Sequence, residues 1–440
     1  METRMPFETG QAQRRRIAVI GGGISGLGAA HLLAEHHDMT LFEAEPRLGG
    51  HARTIHCGRD GDQPVDTGFI VFNKVNYPHL VRLFEKLDVP VTESNMSFGA
   101  SLSGGALEYG LKDLGAVFTQ PRNALDPRFL RMLRDIFRFN ARALHTVREG
   151  DMTIGDLLRT LGTGAWFRDY YLLPLSGAIW STPKQRILDF PAHAMVQFFE
   201  NHALLSHTGQ HQWYTVQGGS VAYVRRLQAR LQRQRVELRT GCPVQSIRRG
   251  PAGPEVKVQG AGWDRFDEVV MATHSDDSLR MLADPSVDEA RILGAIRYQP
   301  NRVVLHSDTA IMPRRRRCWS SWNYAEAAGR TGDTIDLTYW MNSLQPIPHD
   351  TPYFVTLNAT RPIRDELVHD ECTLRHPVYD VAALAAQREV ARINGAQDTW
   401  FCGAWTRHGF HEDGLASGVE VARRILQDGA AMTPHVMAAE

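Results

Sequence analysis

Residues 16–43 limit the fold of this 440-residue chain more than any other stretch. Arg16 to Ile20 (RIAVI) reads as a short buried strand, and Leu27 to Leu33 as an apolar helical run. Between them stand Gly21, Gly22, Gly23, Ile24, Ser25 and Gly26, a G-x-G-x-x-G in the strand–turn–helix context that gives it meaning. Gly21 allows the tight turn, Gly23 lets backbone N–H groups approach a pyrophosphate, and Gly26 lets helix and strand pack closely. The positive end of the helix then faces phosphate. A second strand, MTLFEAE, reaches Glu43, 20 residues after Gly23, where a carboxylate can accept from a ribose hydroxyl. This segment predicts a dinucleotide site on a parallel sheet.

Ile17 to Ala34 carries no formal charge over 18 residues, but five glycines inside it make a membrane helix a poor reading. The N-terminus has arginines and no apolar core of a secretory signal, so the chain is expected to be soluble and cytoplasmic. Its 49 Lys+Arg balance 49 Asp+Glu, which argues against nucleic acid as a partner. Cys57, Cys242, Cys318, Cys372 and Cys402 lie far apart and are odd in number, so neither a disulfide framework nor a thiolate metal site is expected.

Beyond Glu43 the sequence continues Ala44-Glu45-Pro46-Arg47-Leu48-Gly49-Gly50-His51, then Val65-Asp66-Thr67-Gly68. Here it resembles the flavin amine oxidase superfamily, which includes monoamine oxidases, protoporphyrinogen oxidase and phytoene desaturases. The resemblance implies that the turn of Arg47, Gly49 and Gly50 lies against the diphosphate and flavin of FAD. Two later segments extend it. Thr215-Val216-Gln217-Gly218-Gly219-Ser220, with Tyr223 and Leu227, looks like the family's glycine-led helix start. The strands that follow put Val244 where that family meets adenine. The stretch WFCGAWTRHGFHEDGLASG resembles its closing flavin motif, with a strand ending at Cys402-Gly403 and Glu412-Asp413-Gly414 preceding a helix expected near Leu415. FAD is the implied cofactor, without covalent attachment. No second strand–G-x-G-x-x-G–helix unit occurs, so a nicotinamide domain is not expected, and dioxygen, a quinone or a protein carrier would reoxidise the flavin.

The expected fold class is α/β: a discontinuous Rossmann-type FAD domain assembled from 14–70, 213–285 and 390–430. An inserted α+β substrate domain would take 71–212 and 286–389, with tails at 1–13 and 431–440. The first insert reads as helix-rich, while the second alternates like strands (RVVLHSD, TIDLTYWMN). On a helical wheel Arg128, Arg131, Arg134, Arg138 and Arg142 fall within an arc of about 120°, with Phe129, Leu130, Met132, Leu133, Ile136, Phe137, Phe139 and Leu144 opposite. Two readings fit: a capping helix with its apolar side in the core, or peripheral contact with the inner face of an anionic membrane. The run Arg314 to Arg317 fits a solvated loop. His202, His207 and His211 have no carboxylate or thiolate partners in sequence, so no metal is expected. Leu173 to Pro183 (LPLSGAIWSTP) reads as a close-packed turn. Its Trp180, like Trp322 and Asn323 in SSWNY, either fills core or lines a substrate cavity.

Two departures bear on the reaction. Amine oxidases of this family carry a lysine near the flavin, on the strand that aligns with Asn301–Leu305. This chain has five lysines and none after Lys257; Arg302 is the nearest cation there, and arginine is a poor base. The tyrosine of the family's amine cage aligns with His411. Arg302, His411 and His51, beside Gly50, are the candidate catalytic residues, the two histidines as acid–base groups. The segments GGHARTI, PLSGAIWSTP and SSWNY are similar to a bacterial branch of FAD-binding proteins related to desaturases and fatty-acid isomerases. The expected activity is FAD-dependent dehydrogenation or desaturation of a C–C bond in a lipophilic, fatty-acyl substrate. The alternatives are an amine oxidase and a non-catalytic flavin-binding protein.

Overall fold

The computed structural model describes residues 14–58, 60–147, 152–180, 187–205, 210–328 and 335–431. The chain divides into two units, residues 1–50, 224–295 and 386–440 in the first and 51–223 and 296–385 in the second. This division differs from the expected one at 286–295 and 386–389, which join the first unit, and at 51–70 and 213–223, which join the second. The reason is local: the hairpin of Thr54–Cys57 and Gln63–Asp66 is tied through Asp66 to Ser220 and Gln345, both in the second unit.

In the first unit, β1 (Arg16–Ile20) is followed by α1 (Ile24–Leu33) and β2 (Asp38–Phe42). Four of the five residues in each strand are buried, as expected where helices cover a parallel sheet. The five-stranded sheet runs Glu237–Arg239, β2, β1, Glu268–Met271, Thr399–Phe401, and every neighbouring pair is parallel. β1 thus has the next strand in sequence on one side and a much later one on the other. That is the topological switch point, and the crevice at the carboxyl end of such a strand is where ligands bind in open parallel sheets. A small antiparallel sheet of Val244–Gly250, Gly253–Val258 and Trp263–Arg265 is appended. The C-terminal helix His411–Ala431 packs along α1, so closely that a β-carbon on Gly418 would stand 2.4 Å from the Ser25 carbonyl oxygen.

The second unit is built on a seven-stranded sheet, ordered Val368–Val378, Arg297–His306, Phe354–Leu357, Asp336–Trp340, Trp322–Ala325, Phe98–Leu102, Leu107–Gly110. All pairs are antiparallel except Trp322–Ala325 with Phe98–Leu102. Val303, Leu305, Val355 and Leu357 of this sheet share a core with Val65, Ile70, Met341 and Leu344. A helical layer follows the sequence's helix-rich reading. Pro127–Thr146 starts at Asp126, whose carboxylate accepts from the Arg128 N–H, with proline in the first turn. Ile154–Leu161 carries a capping box of Thr153 and Asp156 and stops at left-handed Gly162. Leu173–Trp180 is a helix, not the turn expected from its prolines and glycine. Pro174 is tolerated because the turn before it, Arg168–Leu172, is a π-helix, which shifts the hydrogen-bond register where proline lacks an N–H. Ser181, Thr182 and Pro183 lie outside the described residues, as do the tails 1–13 and 432–440.

Candidate FAD site and its surroundings

At the carboxyl end of β1 the glycines have separate tasks. Gly21 turns at φ +108°, where a β-carbon would meet the Ala272 carbonyl at 2.9 Å. A β-carbon on Gly26 would stand 2.0 Å from the Gly21 carbonyl oxygen, so helix and strand touch backbone to backbone there. Gly23 is different: nothing lies within 4 Å of the position a β-carbon would take. Gly23 is also the N-cap of α1 and offers no side-chain cap, which leaves the first-turn N–H groups for a ligand. An open approach at a helix N-terminus suits a diphosphate.

Glu43 closes this cradle. Its Oε2 accepts from Gly22 N at 2.7 Å and its Oε1 from Glu45 N at 2.8 Å. Each carboxylate oxygen keeps a lone pair for a further donor. Gly49 N donates to Gly22 O at 2.8 Å, which docks the turn of Arg47, Gly49 and Gly50 against the glycine loop. Arg47 donates to Gly50 O at 3.0 Å and pairs with Glu45 at 3.0 Å, so its charge braces its own turn. Ala44, exposed, lies between these contacts. Cys242 N donates to Glu43 O and Gly241 N to Glu45 O, both at 2.9 Å, bringing the chain just before Val244 to the end of β2.

A second helix N-terminus stands next to the first. The C-terminal helix begins at His411, four residues before the expected Leu415, because Phe410 N donates to Asp413 Oδ2 at 2.9 Å. That is half of a capping box, which starts the helix ahead of the acidic pair. A β-carbon on Gly414 would meet Ser25 Oγ at 2.9 Å and Ile24 Cγ2 at 3.0 Å. Leu415 presses on Gly28, and Ser417 Oγ accepts from Gly403 N at 2.9 Å. Gly21, Gly23, Ile24, Ser25, Gly26, Glu43, Ala44, Arg47, Gly49, Gly50, Val244, Gly403, Asp413, Gly414 and Leu415 all fall in the first unit. Burial pushes the Asp413 carboxyl above the usual carboxylate range and the Cys402 thiol up to about 12, so Cys402 stays a thiol at neutral pH.

The three candidate catalytic residues, His411, His51 and Arg302, separate. His411 is the half-buried first residue of the C-terminal helix. His51 follows Gly50 directly in the chain, and its ring centre lies 5.6 Å from that of His376. The Arg302 side chain is 55% exposed and held by Glu371 at 2.6 Å, on the outer face of the strand Arg297–His306. The inward residue is Asn301, fully buried, with Nδ2 at 2.8 Å from His376 Nδ1 and Oδ1 accepting from Asn358 at 2.7 Å. The alternation of this strand carried the signal, since Asn301 shares its phase with buried Val303 and Leu305.

Sequence reasoning also missed the node around Asp66. Its buried carboxylate accepts from Ser220 N at 2.9 Å on both oxygens, Ser220 Oγ at 2.7 Å, Thr54 at 2.5 Å and Gln345 at 2.9 Å. The segments VDTG and GGS were visible, but nothing in sequence links them to Gln345.

Of the proposed cavity residues, Asn323 is buried and Trp180 and Trp322 are half-buried among other aromatic rings. Trp180 stacks among Phe190, Phe198 and Phe199, and Trp322 stands edge-on to Tyr339 at 5.2 Å. Asn323 is spent on the turn, accepting from Ser320 N and donating to Ser320 O and Thr338 O. None of them lines the cleft of about 540 Å³ bounded by Glu93, Met96, Gln212, Trp213, Leu344 and Gln345. His202 stacks on Phe198, and His207 lies outside the described residues. Among the described residues one group, His274, Asp276 and Asp277, has ligand-type atoms within 4.8 Å of one another, and Arg280 pairs with Asp277 there.

The sequence profile of the family described as flavin containing amine oxidoreductase matches residues 24–320. The chain belongs to that family; it is a FAD-dependent oxidoreductase with a Rossmann-type parallel sheet. It is 58% identical over 40 residues to amine oxidase [flavin-containing] A of Canis lupus familiaris, 9% of this chain and 8% of that protein. The chain therefore matches only a small share of that relative's length. Two solved structures share the fold over nearly the whole chain. One is a candidate protoporphyrinogen oxidase from Exiguobacterium sp. 255-15, with 18% identity and TM-score 0.68, covering 94% of this chain and 99% of that one. The other is a fatty acid isomerase from P. acnes that produces CLA, with 15% identity and TM-score 0.67, covering 93% and 98%.

Proposed function

We propose that this FAD-dependent oxidoreductase dehydrogenates a C–C bond in a lipophilic, fatty-acyl substrate. The observation that carries the reading is the strand Arg297–His306. Where amine oxidases of the family carry a lysine, this strand turns neutral Asn301 inward and sends Arg302 outward to Glu371. FAD, when bound, supplies the hydride acceptor. The glycine loop, Glu43 and the two adjoining helix N-termini would hold its diphosphate and ribose. Desaturation also releases a proton from the neighbouring carbon. Histidine is the side chain suited to take it near neutral pH, and His51 and His411 are the proposed acceptors. The P. acnes structure is of a fatty acid isomerase, the acyl class proposed here, although that likeness is one of fold.

Anaerobic mixing of the FAD-loaded chain with fatty-acyl lipids, and separately with a panel of amines, tests the reading. Flavin bleaching by acyl lipids, with a product two hydrogens lighter, is expected. Bleaching by amines alone overturns it in favour of an amine oxidase. Bleaching by neither class favours the non-catalytic flavoprotein.

A further inference from the structure

The helix Pro127–Thr146 divides its apolar residues in a way the wheel did not anticipate. Phe129, Met132, Phe139 and Ala143 are buried. Leu130, Phe137 and Leu144 are 43, 57 and 37% exposed. They are spaced seven residues apart, so they form one row about 21 Å long down the helix. Eight large hydrophobic residues are exposed among the described residues, and five of them fall between 114 and 144: the three of this row, with Leu114 and Leu125 in the segment that precedes the helix. Exposed apolar residues scattered singly need no explanation, but this concentration does.

Charge on the same face has one sign. The helix contains five arginines and a single acid, Asp135, which is buried, accepts from Gly164 N at 2.8 Å and pairs with Arg134 at 3.2 Å and with Arg131 at 3.7 Å, so that Arg138 and Arg142 pair with no acid of the helix. Arg134, Arg138, Arg131 and Arg142 follow one another at about 40° to 120° around the axis from Leu130, immediately beside the apolar row. Arginine stems lie along apolar surface while their guanidinium groups reach for anions, so the two rows work together at an interface. No helix among the described residues is long and apolar enough to cross a membrane, which limits contact through this helix to the surface.

We propose that the exposed face of Pro127–Thr146 docks on an anionic phospholipid bilayer, with Leu130, Phe137 and Leu144 among the acyl chains and Arg131, Arg134, Arg138 and Arg142 at the phosphates. A second copy of the chain fits less well, because a two-fold contact through this face brings two arginine rows together. The inference does not depend on which substrate the flavin oxidises.

Co-sedimentation of the FAD-loaded full chain with vesicles tests it, using phosphatidylcholine alone and phosphatidylcholine mixed with phosphatidylglycerol, each at low and high salt. Expected is binding at least roughly tenfold tighter to the anionic vesicles, weakened by salt. Arg134→Gln, Arg138→Gln and Arg142→Gln together should weaken it by on the order of a hundredfold. Leu130→Ser with Phe137→Ser should weaken it by on the order of tenfold. Circular dichroism and flavin retention check that these variants fold, and Leu130→Trp gives a second readout, a blue shift of emission on adding anionic vesicles. Equal binding to both vesicles, no binding, or serine variants that bind like the parent overturn the proposal. Concentration-dependent dimers that the serine variants abolish, without vesicle binding, assign the face to a second copy instead.

Discussion

Asn301 Nδ2 lies 2.8 Å from His376 Nδ1, and the direction of that hydrogen bond is set from the backbone outward. Arg302 N can only donate, and it donates to Asn358 Oδ1 at 3.0 Å. Asn358 Nδ2 must then be the atom that meets Asn301 Oδ1 at 2.7 Å, and Asn301 Nδ2 the atom that meets His376. His376 Nδ1 is therefore an acceptor, and the neutral ring carries its proton on Nε2. Asn358 holds its place at φ +52°, in the left-handed region that asparagine tolerates better than most residues.

The expected outcome is an Nε2–H tautomer for His376 in nitrogen-15 spectra of the selectively labelled protein. A dominant Nδ1–H signal would show that the amide chain runs the other way. Asn301→Ala should destabilise the protein by about 1–3 kcal/mol in urea unfolding, because buried polar partners lose their match.

The two glycines that look alike in the motif should behave oppositely. Gly26→Ala forces a β-carbon to within 2.0 Å of the Gly21 carbonyl oxygen, so the loop or helix must move. A loss of more than about 3 kcal/mol of stability is expected. Gly23→Ala meets no protein atom within 4 Å and has φ −76°, which alanine adopts readily. The apoprotein should melt like the parent, while FAD affinity falls by roughly tenfold or more, since the added methyl occupies ligand space. Thermal melts of the apoprotein and FAD titrations separate the two effects. If Gly23→Ala binds FAD as the parent does, the phosphates do not approach there.

What the sequence disclosed and what it hid follow from distance along the chain. The span from β1 to Glu43 was legible because each requirement acts within 28 residues: a strand, a turn, a helix start and an acid. The start of the C-terminal helix was misplaced by four residues because its cap is a carboxylate reaching back from Asp413. A strand was legible at Asn301–Leu305, but alignment with the family favoured a charged residue, whereas strand phase turns Arg302 out and Asn301 in. The node that joins Asp66 to Gln345 spans 279 residues, and no periodicity encodes a partner at that range.

Arg302→Gln follows from that phase. The guanidinium and its Glu371 partner are 55 and 45% exposed, and exposed pairs of this kind contribute little. Stability should stay within about 0.5 kcal/mol of the parent, and flavin reduction within about twofold. Denaturant unfolding and anaerobic stopped-flow absorbance measure the two quantities. A large fall in the reduction rate with unchanged stability would return Arg302 to the reacting site.

Asp66 gives the sharpest dependence on pH. Burial pushes its carboxyl up to about 6, against the pull of the hydrogen bonds from Thr54, Ser220 and Gln345. An unfolded aspartate titrates near 3.9. Between these values the folded protein holds the proton more than the unfolded chain does, so this group's contribution is complete below about pH 4 and is lost as pH rises through 6. Asp66→Asn removes the titration while keeping the side chain's shape. The stability of the parent minus that of the variant should therefore be greatest near pH 4 and shrink by up to about 3 kcal/mol by pH 7, measured by urea unfolding across the range. A difference that grows with pH would mean that the donors outweigh burial and hold Asp66 ionised throughout. Either sign speaks to how the hairpin at 54–66 is fastened. A protonated Asp66 makes that fastening loosen as the medium turns neutral, and an ionised one makes it tighten.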